Sequence, residues 1–250
     1  PTPAANDMFA TALSAGGQSD TGKGFLVIGR PRADTINGAD AGAANIYRFD
    51  LNAYHWNHVA AILAPVGGIG EQFGAAVDFY QHHVIAGAPG VGAGRAYIFN
   101  NPNQNETNWV YTTALAPPDG MTGDRFGAAV GVTEFSTCAV VGAPRAGLDL
   151  SPAPGLEAPA AGKAYLYAPV NNVWQHVSTL TPHAGLDATL ISGAAFGRSI
   201  AMSSDRLAIG APMQRVSLAQ TAGAVYVYER EGNGPWTLGT PGGILPEPGQ

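Results

Sequence analysis

The side chains with the plainest capacity for chemistry are four arginines. Arg30, Arg32, Arg145 and Arg215 each stand at or just after one of the segments Gly29-Arg30-Pro31, Gly142-Ala143-Pro144 and Gly210-Ala211-Pro212. A guanidinium binds a planar anion through two parallel hydrogen bonds. Several of them delivered to one mouth by equivalent turns would hold a carboxylate or a sulfated sugar, with Asp34 and Asp149 as polar neighbours. The plainer reading is ordinary ion pairing with Asp34, Asp40, Asp149 or Glu157. The remaining reactive side chains point away from catalysis. His55, His58 and His176 lie beside Trp56 and Trp174 and are expected on an exposed strand, His82-His83 falls in a turn, and His183 has no companion ligand. Gly17-Gln18-Ser19-Asp20-Thr21-Gly22-Lys23 follows a phosphate loop until Gly24 replaces the required hydroxyl. A strand follows where a helix N-terminus would hold phosphate, so the segment reads as a Gly-rich turn. Cys138 alternates with Val140 and reads as a small buried hydrophobe with no basic partner. Neither a Gly-x-Ser-x-Gly elbow nor His-Glu-x-x-His occurs. No catalytic residue, metal ligand or cofactor is assigned.

The elements that position the arginines are internal repeats. Phe73-Gly74-Ala75-Ala76-Val77 recurs as Phe126-Gly127-Ala128-Ala129-Val130 and Phe196-Gly197-Arg198-Ser199-Ile200, with a worn copy at Phe9-Ala10-Thr11-Ala12-Leu13. Downstream of each lies Ile28-Gly29-Arg30-Pro31, Ala86-Gly87-Ala88-Pro89, Val141-Gly142-Ala143-Pro144 or Ile209-Gly210-Ala211-Pro212. An aromatic alternation follows at Ile46-Tyr47-Arg48-Phe49, Tyr97-Ile98-Phe99, Tyr165-Leu166-Tyr167 and Tyr226-Val227-Tyr228, and then one Trp per unit: Trp56, Trp109, Trp174 and Trp236. Period-2 alternation with Gly and Pro at the ends predicts four short strands per unit, the pattern of a β-propeller blade. The predicted fold is all-β, a propeller of four-stranded antiparallel blades at about 8–64, 72–116, 125–181 and 195–246, forming one domain. Small residues are expected where inner strands crowd the axis, and aromatic rings between sheets.

The Phe-Gly … Gly-Ala-Pro pattern resembles the FG-GAP repeat of integrin-α-like propellers and of many bacterial secreted proteins. Its motif residues here are Phe73, Gly74, Gly87, Pro89, Phe126, Gly127, Gly142, Pro144, Phe196, Gly197, Gly210 and Pro212. The order of aromatic strand, Trp and Asp-Arg-Phe-Gly is most similar to the bacterial-type variant. Integrin-type blades carry calcium loops between the first two strands; 78–83, 131–135 and 202–206 lack the cluster of oxygen side chains that calcium needs. The family usually closes with seven blades, and four are present. Four blades closing alone, membership of a larger propeller, and association with other blades or subunits all remain open.

Composition narrows the function. The chain has 250 residues, 34 Gly, 19 Pro and 12% charged residues, which argues against helical bundles and disorder. Its net charge of −6 argues against a nucleic-acid partner. No apolar run is long enough for a transmembrane helix, and the single Cys excludes an internal disulfide. Asn105-Glu106-Thr107 is a sequon that matters only in a eukaryotic secretory setting. Strand alternation puts the long 2–3 and 4–1 loops on one face, where binding concentrates. The resemblance implies a non-enzymatic, extracytoplasmic interaction or adhesion module (extracellular, cell-surface or periplasmic) that binds a protein partner through that face, or an accessory subunit of a surface assembly. A propeller lectin binding a glycan is the alternative, and an accessory domain of a secreted hydrolase ranks third.

Overall fold

A computed structural model describes residues 6–18, 22–102, 107–133, 138–147, 160–182, 188–217, 220–232, 234–239 and 244. Four four-stranded antiparallel sheets follow one another along the chain. The first holds β1 (Leu13–Gln18), β2 (Lys23–Arg30), β3 (Ala43–Asp50) and β4 (His55–Ile62). The second holds β5 (Ala76–Tyr80), β6 (His83–Ala88), β7 (Arg95–Asn100) and β8 (Val110–Leu115). The third holds β9 (Ala129–Thr133), β10 (Cys138–Ala143), β11 (Lys163–Val170) and β12 (Val173–Leu180). A one-turn helix α1 (Ala188–Ile191) leads to the fourth, β13 (Ser199–Met202), β14 (Arg206–Ala211), β17 (Ala224–Glu229) and β18 (Thr237–Leu238). A hairpin of β15 (Arg215–Ser217) and β16 (Gln220–Thr221) stands between β14 and β17. Where β1 pairs with β2, Gly17 lies opposite Gly24 and Gln18 opposite Lys23.

The blades stack through their inner strands: β1 packs on β5, β5 on β9 and β9 on β13. Among the described residues β13 and β1 share no packing comparable to that of these three pairs. Each junction repeats one device. The Phe amide of the later blade donates to a carbonyl of the earlier one: Phe73 to Ala41 at 2.9 Å, Phe126 to Ala93 at 2.8 Å and Phe196 to Ala161 at 2.9 Å. The three rings are fully buried and pack on Tyr97, Tyr165 and Tyr226, with centroids 5.6, 5.5 and 5.2 Å apart. Each such ring contributes about 1.5–3 kcal/mol by burial.

The small residues owe their size to these junctions more than to the axis. A Cβ at Gly87 would lie 1.9 Å from the Gly127 carbonyl oxygen of the next blade, and one at Gly142 would lie 2.0 Å from that of Gly197. Backbone therefore meets backbone across the junction, and only Gly permits it. A second repeated device sits further out. The register between third and fourth strands slips at Ile46/Tyr47, Ile98/Phe99 and Leu166/Tyr167, a β-bulge that bends the outer strand at the aromatic position.

Asp78 ties three inner strands together. Its carboxylate accepts from Ser14 Oγ of the first blade at 2.8 Å and from the Val132 amide of the third at 2.9 Å. Burial pushes its carboxyl above the ordinary value, against these hydrogen bonds. Cys138 is buried, and burial pushes its thiol up to about 11, as suits a packing residue.

Candidate functional site

The loops that follow second and fourth strands open on one face, and their bases are built alike in every unit. The residue after each Gly-x-Pro donates its amide to the residue two before Phe: Arg32 to Asp7 at 3.3 Å, Gly90 to Glu71 at 3.0 Å, Arg145 to Asp124 at 3.2 Å and Met213 to Ala194 at 3.1 Å. The residue before each Phe is left-handed: Met8 (φ 53°), Gln72 (φ 60°), Arg125 (φ 59°) and Ala195 (φ 56°). That conformation costs a non-Gly residue about 1 kcal/mol or more, and the surrounding turn imposes it four times.

These bases redistribute the expected arginines. Arg30 is buried and ion-paired with Asp7 at 3.2 Å, so its partner is none of the acids named from sequence. Asp34 caps its own loop by accepting from the Asp40 amide at 3.0 Å. Arg32 is exposed beside Asp7, and Arg215 is exposed on the β15–β16 hairpin. Asp149, Glu157, Asn105 and His183 lie outside the described residues. Arg145 acquires two companions that sequence reasoning left inside the motif, Arg125 just before Phe126 and Arg198 just after Gly197. Arg125 is half-buried, and both burial and the charges of Arg145 and Arg198 push its guanidinium below the ordinary value. Among the described residues no carboxylate lies within ion-pair distance of the three. The corresponding residues between the second and third blades are Gln72, Gly90 and Ala128. The signal was present in sequence as the unit that departs from the others around its Phe-Gly.

A second feature lies beside the mouth. A cleft of about 490 Å³ opens among the loops at the end of the second blade, lined by Val66, Gly68, Glu71, Arg95, Pro117 and Gly120. Its floor is the buried Glu71 carboxylate, which accepts from the Gly68 amide at 3.0 Å and from the Tyr97 hydroxyl. One blade on, Asp119 accepts from Lys163 at 2.6 Å and from the Tyr165 hydroxyl at 2.8 Å. Burial pushes Asp119 up, but these hydrogen bonds outweigh it and hold the carboxyl below its ordinary value.

No group of three or more metal-ligating side chains occurs among the described residues. His55, His58 and His176 are exposed, whereas His82 and His83 are half-buried. His82 is held 3.2 Å from Gln18 of the first blade. No described helix is long and apolar enough to cross a membrane.

The FG-GAP repeat matches residues 109–167 and 174–228. The chain carries FG-GAP repeats. Each matched FG-GAP unit starts at the Trp of an outer strand and ends on the aromatic third strand of the next blade, so the sequence unit spans a junction. No curated protein matches the chain in sequence. Solved structures share its fold, among them the following two. A periplasmic gluconolactonase of Pseudomonas aeruginosa, PpgL, has 12% identity and a TM-score of 0.56 over 96% of this chain and 59% of its own. Sqt1 of Saccharomyces cerevisiae has 12% identity and a TM-score of 0.51 over 95% of this chain and 52% of its own. The chain thus spans little more than half the length of either structure, and the likeness is one of architecture.

Proposed function

We propose that this FG-GAP propeller segment is a non-catalytic, extracytoplasmic interaction module. It takes an acidic segment of a protein partner on its 2–3/4–1 loop face, with Arg125, Arg145 and Arg198 around the anchoring carboxylate. The observation that carries this reading is the convergence of three guanidiniums with no carboxylate in reach among the described residues. Holding like charges together is unfavourable, and an arriving anion relieves it. The protein as a whole is acidic, so the mouth is a local positive spot that orients an approaching acidic partner.

The test is a fluorescence-anisotropy titration with a labelled oligoglutamate peptide and, in parallel, a sulfated oligosaccharide. Peptide binding that strengthens at low salt and weakens about tenfold or more in Arg125→Gln/Arg145→Gln supports the reading. Peptide binding indifferent to that double substitution overturns it. Preference for the sulfated oligosaccharide replaces the protein partner by a glycan.

A further inference from the structure

The loop face carries apolar side chains that no blade junction accounts for. Val66, Ile69 and Val91 are 61%, 74% and 55% exposed, and all three line the 490 Å³ cleft. They stand on loops of the first and second blades, and the loops adjoin: a Cβ at Gly70 would lie 4.0 Å from Val91 Cγ2. An apolar patch with a polar rim marks an interaction site. Glycine keeps this one hollow. Gly68 and Gly92 line the cleft, and a Cβ at either meets no atom within 4 Å. The walls are held by hydrogen bonds. The buried Glu71 carboxylate accepts from the Gly68 amide at 3.0 Å, the Val66 carbonyl accepts from Arg95 Nη1 at 3.4 Å, and the Gly92 carbonyl accepts from the Gly123 amide at 2.8 Å. A recess already built binds without the cost of ordering its own loops. The charge beside it is positive. Glu71 is taken up by Gly68 and Tyr97, and Asp119 by Lys163 and Tyr165. Among the described residues no carboxylate lies within ion-pair distance of Arg95.

We infer that this cleft takes a bulky apolar side chain of the same acidic partner segment whose carboxylate meets Arg125, Arg145 and Arg198. The inference rests on the acidic-segment reading and adds a second contact to it. Continuity joins the two places. Gly123, bonded to Gly92 on the cleft wall, stands two residues before Arg125. An extended peptide crosses from cleft to mouth in about three to four residues. Charge complementarity selects the occupant: guanidiniums flank the recess on both sides, Arg95 on one and Arg125 on the other, so an apolar residue next to acidic ones fits where an apolar residue next to basic ones is repelled.

The experiment compares, by fluorescence anisotropy, an oligoglutamate peptide with one that carries a phenylalanine about three to four residues beyond its glutamates. The phenylalanine is expected to raise affinity about tenfold in the native chain. Gly68→Leu, which fills the hollow, and Ile69→Ser/Val91→Ser, which strips its apolar rim, should each return the ratio of the two affinities to about one. Both variants should melt like the native chain, because Ile69 and Val91 are exposed and a side chain at Gly68 enters open space. The two readings fail separately. Arg125→Gln/Arg145→Gln should weaken both peptides and keep their ratio, and if it leaves both unchanged the arginine mouth is overturned while the cleft stands. A ratio near one in the native chain, or a ratio indifferent to both cleft variants, overturns the cleft while the mouth stands. Absence of binding by either peptide overturns both. Self-association in sedimentation that Ile69→Ser/Val91→Ser abolishes puts a second copy in the cleft and overturns the inference.

Discussion

The junction between the second and third blades and that between the third and fourth share one backbone and carry opposite chemistry. Both bury a Phe ring under a Tyr and set a Gly against the next blade's carbonyl. At the mouth the first presents Gln72, Gly90 and Ala128 beside a cleft floored by Glu71, while the second presents Arg125, Arg145 and Arg198. Residues that hold blade to blade tolerate no change of volume. The residues one or two places away face the mouth and are free to differ. Residues that join blades and residues that line the mouth are thus interleaved within the same motif.

The largest effect tests the shared half of that comparison. Gly87→Ala and Gly142→Ala should each cost about 3 kcal/mol in chemical unfolding, because their Cβ atoms meet backbone oxygen that cannot move aside. Gly210→Ala should cost less than about 1 kcal/mol, since its Cβ meets only the movable Ser199 hydroxyl. An equal loss at Gly210 would break the distinction between a Cβ that meets backbone and one that meets a movable side chain.

The next effect separates the two carboxylate anchors. Tyr97→Phe removes a hydroxyl from the buried Glu71 and should cost about 2 kcal/mol. Tyr165→Phe should cost about half that, because Asp119 is partly exposed and keeps Lys163. Thermal melts of the two variants side by side decide it.

Asp78 gives a pH test of the clip that spans blades one to three. Its carboxyl is raised in the fold, so its contribution to stability is present below the unfolded value near 3.8 and is lost as pH rises through the folded value. Asp78→Asn lacks that loss. The melting temperature of Asp78→Asn relative to the native chain should therefore increase from pH 4 towards pH 7, and a constant difference would show that the carboxyl is not perturbed. The smallest effect belongs to the arginine mouth. Added salt should raise the native melting temperature slightly by screening the three guanidiniums, by about 0.5 kcal/mol or less in stability, and Arg125→Gln should abolish that increment.

The architecture was legible because its determinants are local and repeated. Phe-Gly, Gly-Ala-Pro, the aromatic alternation and the Trp mark strand, turn, strand and strand in each unit, and the four sheets follow that order. The site was legible only in part. Arg145 stood out through its position after Gly-Ala-Pro, but Arg30, which holds the place of Ala143 inside the first copy of that motif, is taken up by Asp7, 23 residues earlier. Arg125 and Arg198 were hidden inside the motif, 73 residues apart, and only the packing of β13 on β9 brings them to one mouth. The β15–β16 hairpin that carries Arg215 had no alternation strong enough to announce it.

The sequence by itself determined the blade, its repetition and the face on which long loops emerge, because strand period, turn residues and aromatic spacing act over a few residues. Tertiary structure alone decided which like charges meet and which acid claims Arg30. Those outcomes depend on contacts between units far apart in the chain, where Coulomb forces and close packing act through space and leave no periodic trace in the residues themselves.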